Sequence, residues 1–67
     1  MDRLIETANL ADHDGFYAEL LATHKGLTDD QSQAINAQLI LILANHIGNR
    51  QVLSHALTLA RRGVVQG

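Results

Sequence analysis

Between Asp30 and Arg50 the chain carries no Asp, Glu, Lys or Arg, and at its centre runs the hexapeptide LILILA, Leu39 to Ala44. Projected at about 100° per residue, this region places Gln31, Gln38 and Asn45 on one narrow polar stripe at heptad spacing. Nearly everything else is apolar. Ile35, Leu39 and Ile42 step by four and three on one flank, and Ala37, Ile40, Ala44 and Ile47 step by three, four and three on the other. These are two coiled-coil-like seams on one helix. A strand reading of LILILA fails on context, because no turn signal interrupts the stretch from Thr28 to Gly48 and helical periodicity continues on either side.

The boundaries follow from punctuation. Three glycines, in HKG at Gly26, HIG at Gly48 and RRG at Gly63, each follow a helical pattern that ends in basic or imidazole side chains, and each reads as a left-handed helix terminator. Start signals match them. Asp12 or Asp14 can cap a first helix and Asn49 a third. Thr28 opens TDDQ, a capping-box pattern in which Gln31 reaches back to the Thr28 amide. Asp29 and Asp30 then place negative charge where the helix dipole favours it.

The expected organisation is an N-terminal arm over 1–11, one helical domain over 12–63 with helices at 13–25, 29–47 and 50–62, and a short tail over 64–67. Short connections favour antiparallel neighbours, so the fold class is all-α, a three-helix up-down-up unit around a long apolar central helix. The outer helices carry narrower stripes: Phe16, Leu20 and Thr23 with Tyr17 and Leu21, and Val52, Ala56 and Leu59 with Leu53, Leu57 and Ala60. At 1.5 Å per residue the central helix spans about 28 Å and each neighbour about 20 Å, which leaves part of it uncovered. A second copy is the simplest cover. The expected homodimer interface is the seam of Ala37, Ile40, Ala44 and Ile47, whose small residues let backbones approach; the opposite flank packs inside the subunit.

Size sharpens this. With 67 residues, 46% of them hydrophobic, and no Cys, the chain has room for one small core and no disulfide to reinforce it. The net charge of −2 and the scattered basic residues argue against nucleic-acid or anionic-membrane binding. LILILA is far shorter than the roughly 20 apolar residues a bilayer requires, and the N-terminus has no secretory pattern, so a cytoplasmic location is expected.

Candidate chemistry is thin. His13, His24, His46 and His55 lack the i, i+4 spacing of a helical metal face. Asp12-His13-Asp14 is the best local cluster, and helix capping accounts for it. His24 and His46 fall in last turns, where imidazole meets the dipole favourably. The adjacent Asp29 and Asp30 point in different directions, which does not suit acid–base work. Ser32 and Ser54 lack triad partners, and no phosphate loop or nucleophile elbow is present. A helix-turn-helix reading, with Arg50, Gln51, Ser54, His55 and Arg61 outward, meets a second helix too long and apolar for that motif. No catalytic, cofactor or metal residue is therefore assigned.

The pieces LADHDGFYAELLATHKGLTDDQS and LILILANHIGNRQVLSHALTLA together resemble a family of very small, helical bacterial proteins of unknown function. The resemblance covers Leu10 to Arg61 and rests on Phe16-Tyr17, on Gly26-Leu27-Thr28 with Gln31-Ser32, and on Asn45-His46-Ile47-Gly48. It implies no catalytic residue. It does imply genes placed beside flavin-dependent monooxygenases or hydrolases of aromatic catabolism, and so an accessory role. The leading expectation is a non-enzymatic homodimeric interaction module, its partners being itself and a larger enzyme. The alternative is a small-ligand or metal-binding protein using Asn45, His46, Tyr17 or His24 near one end of the bundle; a DNA-binding three-helix domain ranks below both.

Overall fold

The computed structural model describes residues 3–66, of which 73% are helical with no strand among them. The elements are α1 (His13–His24), α2 (Asp29–Ile47) and α3 (Arg50–Val65). The class is all-α.

Each helix starts where its polar side chain dictates. Asp12 caps α1, its Oδ1 accepting from the Gly15 amide at 3.0 Å. At α2 the capping box is complete: the Gln31 amide donates to Thr28 Oγ1 at 3.2 Å and the Thr28 amide donates to Gln31 Oε1 at 3.1 Å. Asn49 Oδ1 accepts from both Gln51 and Val52 amides, at 3.0 and 3.1 Å. That double bond matters because α3 opens on Arg50 with no acidic residue in its first turn, against the preference of the dipole.

The ends divide into two kinds. Gly26 and Gly48 adopt φ of +82° and +67°, the left-handed conformation in which glycine has no Cβ penalty, and the Gly48 amide closes α2 on the Ala44 carbonyl at 2.9 Å. Gly63 behaves otherwise. The RRG pattern predicts a stop there, yet α3 runs on to Val65, Gly63 has no positive φ, and the Gln66 amide donates to the Arg62 carbonyl at 2.9 Å. Gly26 and Gly48 each stand at a turn between two helices, whereas Gly63 lies inside α3 with helical backbone on both sides. Residues 64 and 65, expected as tail, are therefore helical; residue 67 and, in the arm, residues 1 and 2 lie outside the described residues.

Packing is sparse. The closest approach of two helices is between α2 and α3, joined only by Gly48 and Asn49. Ile35 and Leu39 are half-buried on the flank of α2 that shares a cleft with Phe16 and Leu20 of α1, while Ala44 and Ile47 are half-buried on the flank next to α3. Val52, 3% exposed, is the one buried side chain among the described residues, and Leu4 of the arm lines the same cleft. The accessible surface is 6076 Å², whereas a compact chain of this mass is expected to show about 4,200 Å². The radius of gyration, 13.5 Å, likewise exceeds the value of about 11 Å for a compact domain of this length.

Two substitutions test the local account. Thr28→Ala removes the acceptor for the Gln31 amide and is expected to cost about 0.5–2 kcal/mol, read as a lower urea midpoint. Gly63→Ala meets nothing within 4 Å and sits inside a helix, so it is expected to raise stability by up to about 1 kcal/mol; a destabilised Gly63→Ala protein would place the end of α3 before Val65.

Candidate functional site

An apolar groove of about 450 Å³ lies between α2 and α3. Ile40, Leu43, Ala44 and Ile47 form one wall; Leu53, Ala56, Leu57 and Ala60 form the other, with Ser54 and Arg50 beside them. The pairs Ile47 with Leu53, Ala44 with Ala56, Leu43 with Leu57 and Ile40 with Ala60 are each symmetric about position 50. A connection of two residues centred beside that position is what brings both seams to one groove. The lining combines large and small side chains, Leu43 beside Ala44 and Leu57 beside Ala56 in the chain.

The groove is open to solvent. Ile40 remains 59% exposed and Leu57 67% exposed, although both belong to its walls. Of the residues expected to meet a second copy, Ile40, Ala44 and Ile47 line this groove, with Ala44 and Ile47 half-buried and Ile40 open; Ala37 is exposed and outside it. The opposite flank is divided too, since Ile35 and Leu39 are half-buried while Ile42 is exposed. One chain therefore uses part of each seam and finishes neither.

Three smaller clefts surround the groove. Phe16, Glu19, Leu20 and Thr23 meet Ile35 and Leu39 around a cleft of about 170 Å³. The arm contributes Arg3, Leu4 and Glu6 to a cleft of about 350 Å³ with Gln51, Val52 and His55, and there His55 Nε2 lies 3.4 Å from Glu6 Oε2. A third, of about 340 Å³, is lined by Thr58, Arg61, Arg62, Val65 and Gln66 near the end of α3.

Among the described residues the titratable side chains meet in pairs and not in a larger metal-holding group. His13 Nδ1 is 3.2 Å from Asp14 Oδ1 in an exposed pair. His24 and His46 occupy the last turns of α1 and α2, and Asp29 and Asp30 the first turn of α2. Among the described residues no three His, Asp or Glu side chains are grouped so as to hold a metal ion. None of the clefts described above includes Tyr17, His24, Asn45 or His46. One feature escapes sequence reading. The Glu6–His55 pair joins residues far apart along the chain, with no local pattern to announce it. The α3 wall of the groove had a readable signal, the mirror symmetry of the two seams about the Gly48-Asn49 connection.

A family model described as "Protein of unknown function (DUF2783)" matches residues 4–62. The match takes in the arm from Leu4 onward as well as all three helices up to Arg62, and the chain belongs to this family. No curated protein and no solved structure matches the chain.

The arm contact yields a measurable expectation. Both members of the Glu6–His55 pair are about half exposed, 52% and 51%, so Coulomb attraction there is weakened by solvent. Glu6→Gln should change the unfolding free energy by less than about 1 kcal/mol, and a double-mutant cycle with His55→Ala measures the coupling. A larger coupling would make the arm an integral part of the helical unit.

Proposed function

We propose that this chain is a non-enzymatic interaction module, a homodimer that acts in the cytoplasm as an accessory to a larger protein. The observation that carries this reading is the quantity of apolar side chain left in solvent. Large hydrophobic residues are exposed on all three helices, among them Phe16, Tyr17, Leu21, Leu41, Ile42 and Leu57, and where such residues gather into a patch they mark an interaction site. The concavity that collects such residues is lined almost wholly by aliphatic groups, which suit protein contact and offer no acid, base or nucleophile.

A second reading draws on the volume of the groove, which falls within the roughly 300–1,000 Å³ of small-molecule pockets. Ligand pockets enclose most of their occupant. The open Ile40 and Leu57 walls favour a surface that another polypeptide covers over one that surrounds a small molecule.

For the larger partner, the polar and charged exterior is the available contact: Glu19, Lys25, Arg50, His55, Arg61 and Arg62 are all exposed. Mixed signs of charge favour docking that is specific and polar, with on-rates that fall as salt rises. Affinity capture at low salt is expected to retain one recurrent protein, and Arg61→Glu with Arg62→Glu to reduce that retention, while the purified protein shows no turnover. Stoichiometric metal or a co-purifying small molecule, with no partner captured, would replace this reading with the ligand-binding one.

A further inference from the structure

We infer that the groove between α2 and α3 is the homodimer interface, occupied by the same groove of a second copy across a two-fold axis. The inference deepens the interaction-module reading and rests on its homodimeric part. It names both the surface and its occupant.

Area is the first argument. The chain exposes about 1,900 Å² more than a compact chain of its mass would, and a standard interface removes about 800 Å² from each partner. Part of that excess lies in the groove, where Ile40, Leu43 and Leu57 are 59%, 47% and 67% exposed, and this open apolar lining is what a second copy covers. A monomer with Val52 as its one buried side chain among the described residues has no core of its own to close. Covering this surface is therefore a condition of folding, and the cover has to be present in equal number whenever the chain is made. A second copy meets that requirement by identity.

Shape is the second. A two-fold axis places the same patch against itself, so the patch must be self-complementary. The groove lining pairs large with small side chains, Leu43 next to Ala44 along α2 and Ala56 next to Leu57 along α3. Turning one copy over the other seats each leucine pair in the facing alanine hollow, as ridges enter grooves in helix packing. The axis then passes close to Ala56 and Leu57, and four helices, α2 and α3 from each copy, enclose one shared apolar centre. Among the described residues, Arg50 is the one charged side chain that lines the groove.

The chain contains no Cys, which makes single-cysteine cross-linking clean. Light scattering of the unaltered protein at micromolar concentration is expected to give about 15 kDa, twice the 7.3 kDa of one chain. Disulfides need Cα atoms within about 7 Å, so under mild oxidation Ala56→Cys should form at least about tenfold more covalent dimer than Leu41→Cys, which lies outside the groove. Leu57→Glu should abolish the dimer mass. If that variant fails to fold, the conservative Ala56→Cys measurement still decides. A 7.3 kDa monomer, or a dimer cross-linked through Leu41→Cys and not Ala56→Cys, overturns the inference. So does a captured larger protein that shields Ala56→Cys from maleimide while the free chain stays monomeric; that outcome would leave the accessory role standing, whereas bound metal or turnover would remove the role itself.

Discussion

Aliphatic side chains surround most of the circumference of α2, and two short neighbours on one chain cannot cover them. That imbalance governs the remaining features. A helix with a single apolar stripe can be satisfied by one face of a small domain, and α2 has two stripes separated only by Gln31, Gln38 and Asn45. The chain answers by dividing its resources: α1 approaches the Ile35 and Leu39 flank, and α3 the Ala44 and Ile47 flank. Neither contact is finished, and exposed hydrophobic residues remain on every helix.

Local structure is secured by different means. The Asp12, Thr28–Gln31 and Asn49 caps and the left-handed Gly26 and Gly48 fix where each helix starts and where two of them end. None of these devices needs a core, since each satisfies backbone groups within a few residues of itself. The helices are thus defined before their packing is. Such a molecule resembles a set of prepared parts, and its tertiary order is limited by the supply of apolar partners.

This difference in range explains what could be read from the sequence. Caps and chain reversals are encoded in adjacent residues, so Thr28 with Gln31, Asn49, Gly26 and Gly48 were legible. Gly63 shows the limit of that logic: glycine ends a helix only where its backbone turns left-handed, and at Gly63 the helix runs on to Val65. The partition of the α2 seams between α1 and α3 was less legible, because periodicity identifies faces without naming what lies against them. The expected self-pairing seam of Ala37, Ile40, Ala44 and Ile47 is one wall of a groove whose other wall comes from α3. The Glu6–His55 contact lay wholly beyond sequence reasoning, since neither residue belongs to a pattern that points to the other.

Separating the apolar groove from the charged exterior has a consequence for how an accessory chain could work. If the groove is closed by a second copy, folding and assembly become one equilibrium, and the stability of the folded form rises with the concentration of the chain itself. Below that concentration the exposed surface belongs to aliphatic residues, which bind without much selectivity. Above it, the aliphatic lining of the groove is covered, and the mixed-charge set that includes Glu19, Lys25, Arg61 and Arg62 stays outward for selective contact. Self-association would then precede selective docking, and the apolar excess of the single chain would be the device that enforces this order.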